Sequence, residues 1–456
     1  NGCRALYQIT KKTKRKRILM KKYIILILFP NLLFAQTELS LMDAIKIGMQ
    51  ENYDIQLSSK NKRISEINNN WANAGALPTI NLSAKKEEGL SDQTNNPTSF
   101  MPYKLRSTSI NGNTNVSWTL FNGFAIRANK SKLRNLEEIS SNNATLTIEN
   151  TIQGIILQYY NCVLQKERLE LLQKVVRLAN NRLEYQQTKY DIGVSSKIDL
   201  LQIENAMLTD SSNLIMQELN YNNAIKNLNL TLGKEIETTW DFTDEIDTEI
   251  QLFSYENLKA STLADNTNIK NQYYNIQLAK QDIRISKAVF YPLITVNSGA
   301  AYNESTYDIG ELSNSMDNTG ESLNYFANFS VNFRLFDGGK LYSTLRKVKV
   351  QKEINDLQYE KVKREVLHQL SLINNKYNSR ISAFSLNQKA FEIAETNYAL
   401  ATDKQNRGVI NSFMLRDIEI AFITSGINAQ QAAYNLMESK ISLLKITGGI
   451  IQGYKE

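Results

Sequence analysis

The chain can be laid on itself. Phe121-Asn122-Gly123 falls on Phe336-Asp337-Gly338, Gly193-Val194 on Gly408-Val409 and Gly233 on Gly448, all at an offset of 215. Leu77-Pro78 falls on Tyr291-Pro292, and Asn52-Tyr53-Asp54-Ile55 on Asn266-Thr267-Asn268-Ile269, at 214. Anchors spread over roughly 180 residues that keep one offset to within a residue mark a tandem duplication. The chain is therefore expected to fold as one architecture of two halves, not as a string of unrelated domains.

Proline placement says what each half contains. The five prolines are Pro30, Pro78, Pro97, Pro102 and Pro292, leaving two long stretches in which nothing interrupts a helix. The first repeat, 36–233, is expected to hold a helix over 40–75 with Ser40 as N-cap, a β-hairpin over 79–121, a long helix over 125–190 and a shorter one over 196–232. An acidic, irregular linker follows at 234–254. The second repeat, 255–448, repeats the plan with a helix over 256–288, a hairpin over 292–336, a long helix over 340–405 and a helix over 411–446; 449–456 is a tail. A helix of about 65 residues is on the order of 100 Å long, and the two shorter helices of a half, end to end, match it. Ile152, Ile156, Tyr159 and Val163 step at the spacing of a coiled-coil seam. Pro78 and Pro292 mark the helix-to-strand corners; Phe121, Asn122 and Gly123, with Phe336, Asp337 and Gly338, mark the strand-to-helix corners.

The strands are two-faced. Ile80, Leu82 and Ala84 alternate with polar residues, as do Val116, Trp118 and Leu120; over 328–336, Phe329, Val331, Phe333 and Leu335 alternate with Asn328, Ser330, Asn332 and Arg334. The polar stretches 87–110 and 303–324 read as surface loops. Four amphipathic strands of about ten residues suit a tilted crossing of an outer membrane. They cannot close a barrel alone, because open edges are not tolerated in lipid. The barrel must be shared between chains, and twelve strands from three chains would leave a lumen for the polar faces.

Charge and cysteine usage agree with an exported protein. The 53 Lys and Arg exceed the 46 Asp and Glu, but nine of the basic residues lie within 1–35, and removing them leaves 44 against 46, which gives no basis for nucleic-acid binding. Residues 20–35 have the charged, apolar and small-residue regions of a signal peptide, and 1–19 read as an upstream extension. With Cys3 in that leader, Cys162 is left without an intrachain partner. His368 is the one histidine, which excludes histidine-based triads and multi-histidine metal sites by count; Asp337-Gly338-Gly339-Lys340 lacks phosphate-loop spacing. No enzyme activity, metal or cofactor is expected.

On these residues the sequence resembles the TolC-like outer-membrane factor family. The matching positions are Leu41-x-x-Ala44 with Asn52-x-x-Ile55, Ala76-Leu77-Pro78-x-Ile80, Leu120-Phe121-Asn122-Gly123, Tyr190-x-x-Gly193 with Asp199-Leu200-Leu201, Phe290-Tyr291-Pro292, Leu335-Phe336-Asp337-Gly338-Gly339 and Gly408. The resemblance implies a mainly α protein with a transmembrane β part: a homotrimer with a twelve-stranded barrel and a long helical tunnel. It also implies an outer-membrane exit duct of a tripartite efflux pump or type I secretion system, joined to a periplasmic adaptor and an inner-membrane pump.

In such a duct control lies where the helices turn. The resemblance places acidic gate positions six and nine residues after the second-half glycine, at Met414 and Asp417; the first half offers Asp199 and Gln202 at the same offsets. Asp417 and Asp199 are the gate candidates, with Arg416 as a partner, since a ring of three carboxylates at a narrow mouth would favour cations. Gly193, Val194, Gly408 and Val409 are the expected adaptor contacts. The rival reading is a periplasmic coiled-coil adaptor or scaffold without a barrel, which would need helical hairpins but no amphipathic strands.

Overall fold

The computed structural model describes residues 37–98, 104–308 and 318–454; the expected leader, 1–35, lies outside them. In order, the elements are β1 (Thr37–Leu39), α1 (Leu41–Glu51), α2 (Tyr53–Asn68), β2 (Thr79–Asp92), β3 (Lys104–Asn122), α3 (Ala125–Asp191), α4 (Lys197–Leu232), β4 (Trp240–Phe242), α5 (Tyr255–Asp265), α6 (Thr267–Ala288), β5 (Leu293–Asp308), β6 (Asn318–Asn332), α7 (Lys340–Asn406), α8 (Ser412–Ile446) and α9 (Ile450–Gly453). The long helices α3 and α7 have 67 residues each, about 100 Å at 1.5 Å per residue. Two compact units emerge. One gathers residues 37–47, 155–246 and 398–423, the other 48–98, 104–154, 247–308, 318–397 and 424–454.

The single helices expected over 40–75 and 256–288 are each two, and the break is the repeat anchor itself. Asn52 leaves the helix with φ −62° and ψ 127°, and its side chain accepts the Ile55 N–H at 3.1 Å. Asn266 does the same with φ −61° and ψ 120°, accepting from Asn268 N and Ile269 N at 3.1 and 3.3 Å. Asparagine caps the next helix by competing with the backbone ladder, which outweighs the apolar periodicity running through the break.

In the second unit four strands form one antiparallel sheet in the order β2-β3-β5-β6. Its register aligns the alternations. Ile80 stands opposite Val116, Val116 opposite Ser298, Trp118 opposite Val296, Val296 opposite Phe329 and Ile294 opposite Val331, so the apolar sets of four strands share one face. Thr79, Ser117, Asn297 and Asn328 share the other. The strands run further than expected. Of the stretches read as loops at 87–110 and 303–324, 99–103 and 309–317 lie outside the described residues, while the runs on either side are paired: Glu87 stands opposite Ser109, Asp92 opposite Lys104, and Thr306 opposite Thr319. Here the ladder overrides polarity: the backbone bonds do not depend on side-chain type, and Lys86 pairs with Glu88 at 2.7 Å on the exposed strand. The last strand stops short, at Asn332 rather than Phe336, because its partner β5 begins at Leu293, after a proline that has no N–H to give.

The first unit holds an element that composition hid. Residues 234–254, read as irregular, contain β4, which pairs in parallel with β1 through Thr37–Trp240, Glu38–Asp241 and Leu39–Phe242. Fully buried Tyr159 on α3 fastens the pair: its hydroxyl lies 2.8 Å from Leu39 O and 2.7 Å from Asp244 Oδ2, and Asp244 Oδ2 also accepts Leu41 N–H at 2.6 Å. Cys162 is buried one turn on, where desolvation pushes its thiol up to about 12. In the other unit Leu258, Ile269, Val366, Leu370, Leu436 and Leu443 pack around buried Tyr377, whose hydroxyl donates to Gln251 O at 2.8 Å.

Candidate functional site

The two helical turns and the helix ends that flank them all fall in the first unit. The turns close in the same way. Gly193 (φ +77°) donates to Tyr190 O at 3.0 Å and Val194 N to Lys189 O at 2.9 Å; Gly408 (φ +76°) donates to Gln405 O at 2.9 Å and Val409 N to Lys404 O at 2.9 Å. This is the helix-ending motif that needs a left-handed residue, and glycine adopts it without strain. Val194 and Val409, just beyond, are both exposed.

Past the turns the halves diverge. Ser196 caps α4 and forms a capping box with Asp199: Ser196 Oγ accepts Asp199 N–H at 3.1 Å, and the Asp199 carboxylate accepts from Ser196 Oγ at 2.8 Å. In the second half Asn411 Oδ1 accepts Met414 N–H at 2.9 Å, and methionine has no carboxylate to return the bond. The structure therefore holds Asp199 in a cap. Asp417 is exposed on α8 and makes no hydrogen bond or ion pair among the described residues. Gln202 and Asp199 line a small cavity of about 60 Å³ with Ser412, Phe413 and Arg416; Met414 and Asp417 do not.

Arg416 has other partners than the sequence suggested. Its guanidinium forks onto Asp210 at 2.6 and 2.7 Å and reaches Glu419 at 2.9 Å. Glu419 takes a second fork from Arg182, at 2.9 Å on both oxygens. Glu419 is 1% exposed and Asp210 4%, so α3, α4 and α8 are joined by an alternating chain of buried charge, Arg182–Glu419–Arg416–Asp210. Burial alone would raise the Glu419 carboxyl, but the bonds from Arg182 and Arg416 outweigh it and hold the group below the ordinary glutamate value. Its bonds to the Asp210 carboxylate hold Arg416 firmly charged. Sequence reading missed Arg182, Asp210 and Glu419 because the three stand on different helices with no common spacing. A charged residue on the apolar stripe of each was the signal.

At the corners, Pro78 and Pro292 directly precede β2 and β5. Asn122 Oδ1 accepts Ile126 N–H at 3.1 Å and Asp337 accepts Gly339 and Leu341 N–H at 3.1 and 2.9 Å, each starting a long helix, while Gly123 and Gly338 turn the chain with φ +65° and +70°. Phe121 ends inside β3, and Phe336 lies exposed beyond β6. Among the described residues no cluster could hold a metal ion, and no helix is long and apolar enough to cross a membrane.

A family model described as outer membrane efflux protein matches residues 49–234 and 258–449. The chain is 21% identical over 304 residues to the probable efflux pump outer membrane protein SepC of Pseudomonas putida, a match covering 65% of this chain but 60%, under two thirds, of SepC. It is 20% identical over 351 residues to toxin and drug export protein A of Aggregatibacter actinomycetemcomitans, covering 74% of this chain and 72% of that protein. Among solved structures, the Campylobacter jejuni CmeC outer membrane channel superposes with a TM-score of 0.73 at 13% identity, covering 90% of this chain and 85% of that one.

Proposed function

The chain belongs to the outer membrane efflux protein family, and from that premise we propose that it is the outer-membrane exit duct of a tripartite efflux pump or type I secretion system, conducting cargo passively and carrying out no chemical step. The outer membrane is where it works. The observation that carries the reading is the sheet register: one face apolar across all four strands, one polar, and the outer strands β2 and β6 each paired on one side only. In lipid such edges must find partners, and three copies supply twelve strands, with the polar faces lining a lumen. A scaffold without a barrel would have no use for that alignment. SepC is named as an efflux pump protein and a second relative as a toxin and drug exporter, which favours a duct working with a periplasmic adaptor and an inner-membrane pump.

Asp417, exposed and without a partner among the described residues, is the residue we assign to an acidic ring at the narrow mouth; Asp199 supports the cap of α4. Exposed Val194 and Val409 at the turns are assigned to adaptor contact. Light scattering of the detergent-purified protein checks the assembly: three chains are expected, and a single chain or a dimer would contradict the shared barrel.

A further inference from the structure

Where β3 and β5 meet their helices, one corner is built unlike a plain turn. Gly123 is so close to the end of α6 that an added Cβ would lie 2.2 Å from Ala288 O, and the residue after it, Phe124, holds φ +71°, the one non-glycine with positive φ among the described residues. Phe121, Phe124 and Tyr291 gather edge to face, with ring centroids 5.2, 6.5 and 6.1 Å apart. Phe121 stands opposite Ile294, so this aromatic cluster continues the apolar face of the sheet at its helical end. Phe124 is nevertheless 54% exposed and Tyr291 50%.

Phe124 and Tyr291 line a cavity of about 330 Å³ together with Arg127, Arg284 and Lys287. Arg127 sits 5.8 Å over the Phe124 ring, and Arg284 donates to Gln281 Oε1 at 3.2 Å. None of the three cations forms an ion pair with a carboxylate among the described residues. Lys287, in the last turn of α6, complements its dipole, and Arg284 precedes it by three residues; Arg127 stands in the first turn of α3, where a cation opposes the dipole and no acidic residue compensates. Three exposed cations without a carboxylate partner among the described residues thus share one hollow with two aromatic rings. Aromatic rings sit at the level of lipid headgroups, and basic pockets at that level take anionic ones.

We propose that this cavity binds the phosphodiester headgroup of an anionic glycerophospholipid in the periplasmic leaflet, its acyl chains rising past Phe124 and Tyr291 along the apolar face. The assignment rests on the barrel reading above. Free phosphate shares the headgroup chemistry, but the exposed aromatics continuous with an apolar sheet favour the lipid.

The test is native mass spectrometry of the full-length protein, released from detergent with equimolar phosphatidylglycerol and phosphatidylcholine. Wild type is expected to retain phosphatidylglycerol preferentially. Arg284→Gln with Lys287→Gln should reduce the preference about 25-fold, roughly fivefold for each cation removed, and Arg284→Lys with Lys287→Arg should keep it. Arg127→Gln alone, a milder change, should reduce it about fivefold. Equal retention of both lipids by an intact trimer, or a preference unchanged in the glutamine variants, would overturn the proposal while leaving the barrel standing. Displacement by millimolar inorganic phosphate, with no gain from longer acyl chains, would assign a free-anion site and overturn the lipid. Absence of a trimer would instead strike the barrel.

Discussion

Glu419→Ala is expected to cost about 3–5 kcal/mol of local stability at the helical turns, the range for removing one partner of a buried ion pair. The magnitude follows from what remains. Arg182 loses both of its 2.9 Å bonds, and Arg416 keeps only Asp210, so two guanidinium groups are left inside with one acid between them. Faster hydrogen exchange over 398–423, with earlier proteolysis at the turns, would report the loss. Unchanged exchange would mean that the network contributes nothing. The pH dependence carries a definite sign: the folded state holds the Glu419 carboxyl below its ordinary value of 4.5, so its contribution is present above that value and fades as the pH falls below it. Acidification should therefore loosen the same segment that the substitution does, and Glu419→Ala should be nearly insensitive to that acid step.

The second large effect is expected at a glycine. Gly123→Ala should prevent the corner from forming: φ +65° already costs a side chain about 1–2 kcal/mol, and the new methyl would meet Ala288 O at 2.2 Å and its carbonyl carbon at 2.8 Å, both main-chain atoms that cannot swing aside. Gly193→Ala and Gly408→Ala provide the contrast. Their φ values are similar, yet nothing lies within 4 Å of an added Cβ, so each should cost only the backbone term of about 1–2 kcal/mol. Yields of the heat-modifiable oligomer compare the three. Equal yields would show that close approach at the corner is not what holds it.

Which parts of this architecture were legible in the sequence follows from the physics of each element. The long helices are written by what is missing from them, and their ends by Gly193 and Gly408, as the end of α4 is by Gly233, because a left-handed residue is a local demand that few side chains meet. The two-faced strands announced themselves by alternation, which is local as well. Strand length was not legible: the paired runs through Glu88 and Thr306 are as polar as any loop, and only the partner strand holds them extended. The breaks at Asn52 and Asn266 were visible as a repeated pair but not as caps, since the apolar spacing runs on through them. At the candidate gate, the departure at Met414 was legible, and its consequence, a capping box in one half and none in the other, appears only with the geometry. The chain Arg182–Glu419–Arg416–Asp210 depends on three helices meeting, a relation no single window of sequence contains.

The most direct measurement of the central claim is conductance of the purified, folded protein in a planar lipid bilayer, wild type beside Asp417→Ala. The account predicts a small, cation-selective conductance that grows and loses selectivity on substitution, since a ring of carboxylates at a narrow mouth both attracts cations and restricts flow. Folded protein that inserts no channel at all would contradict the exit duct.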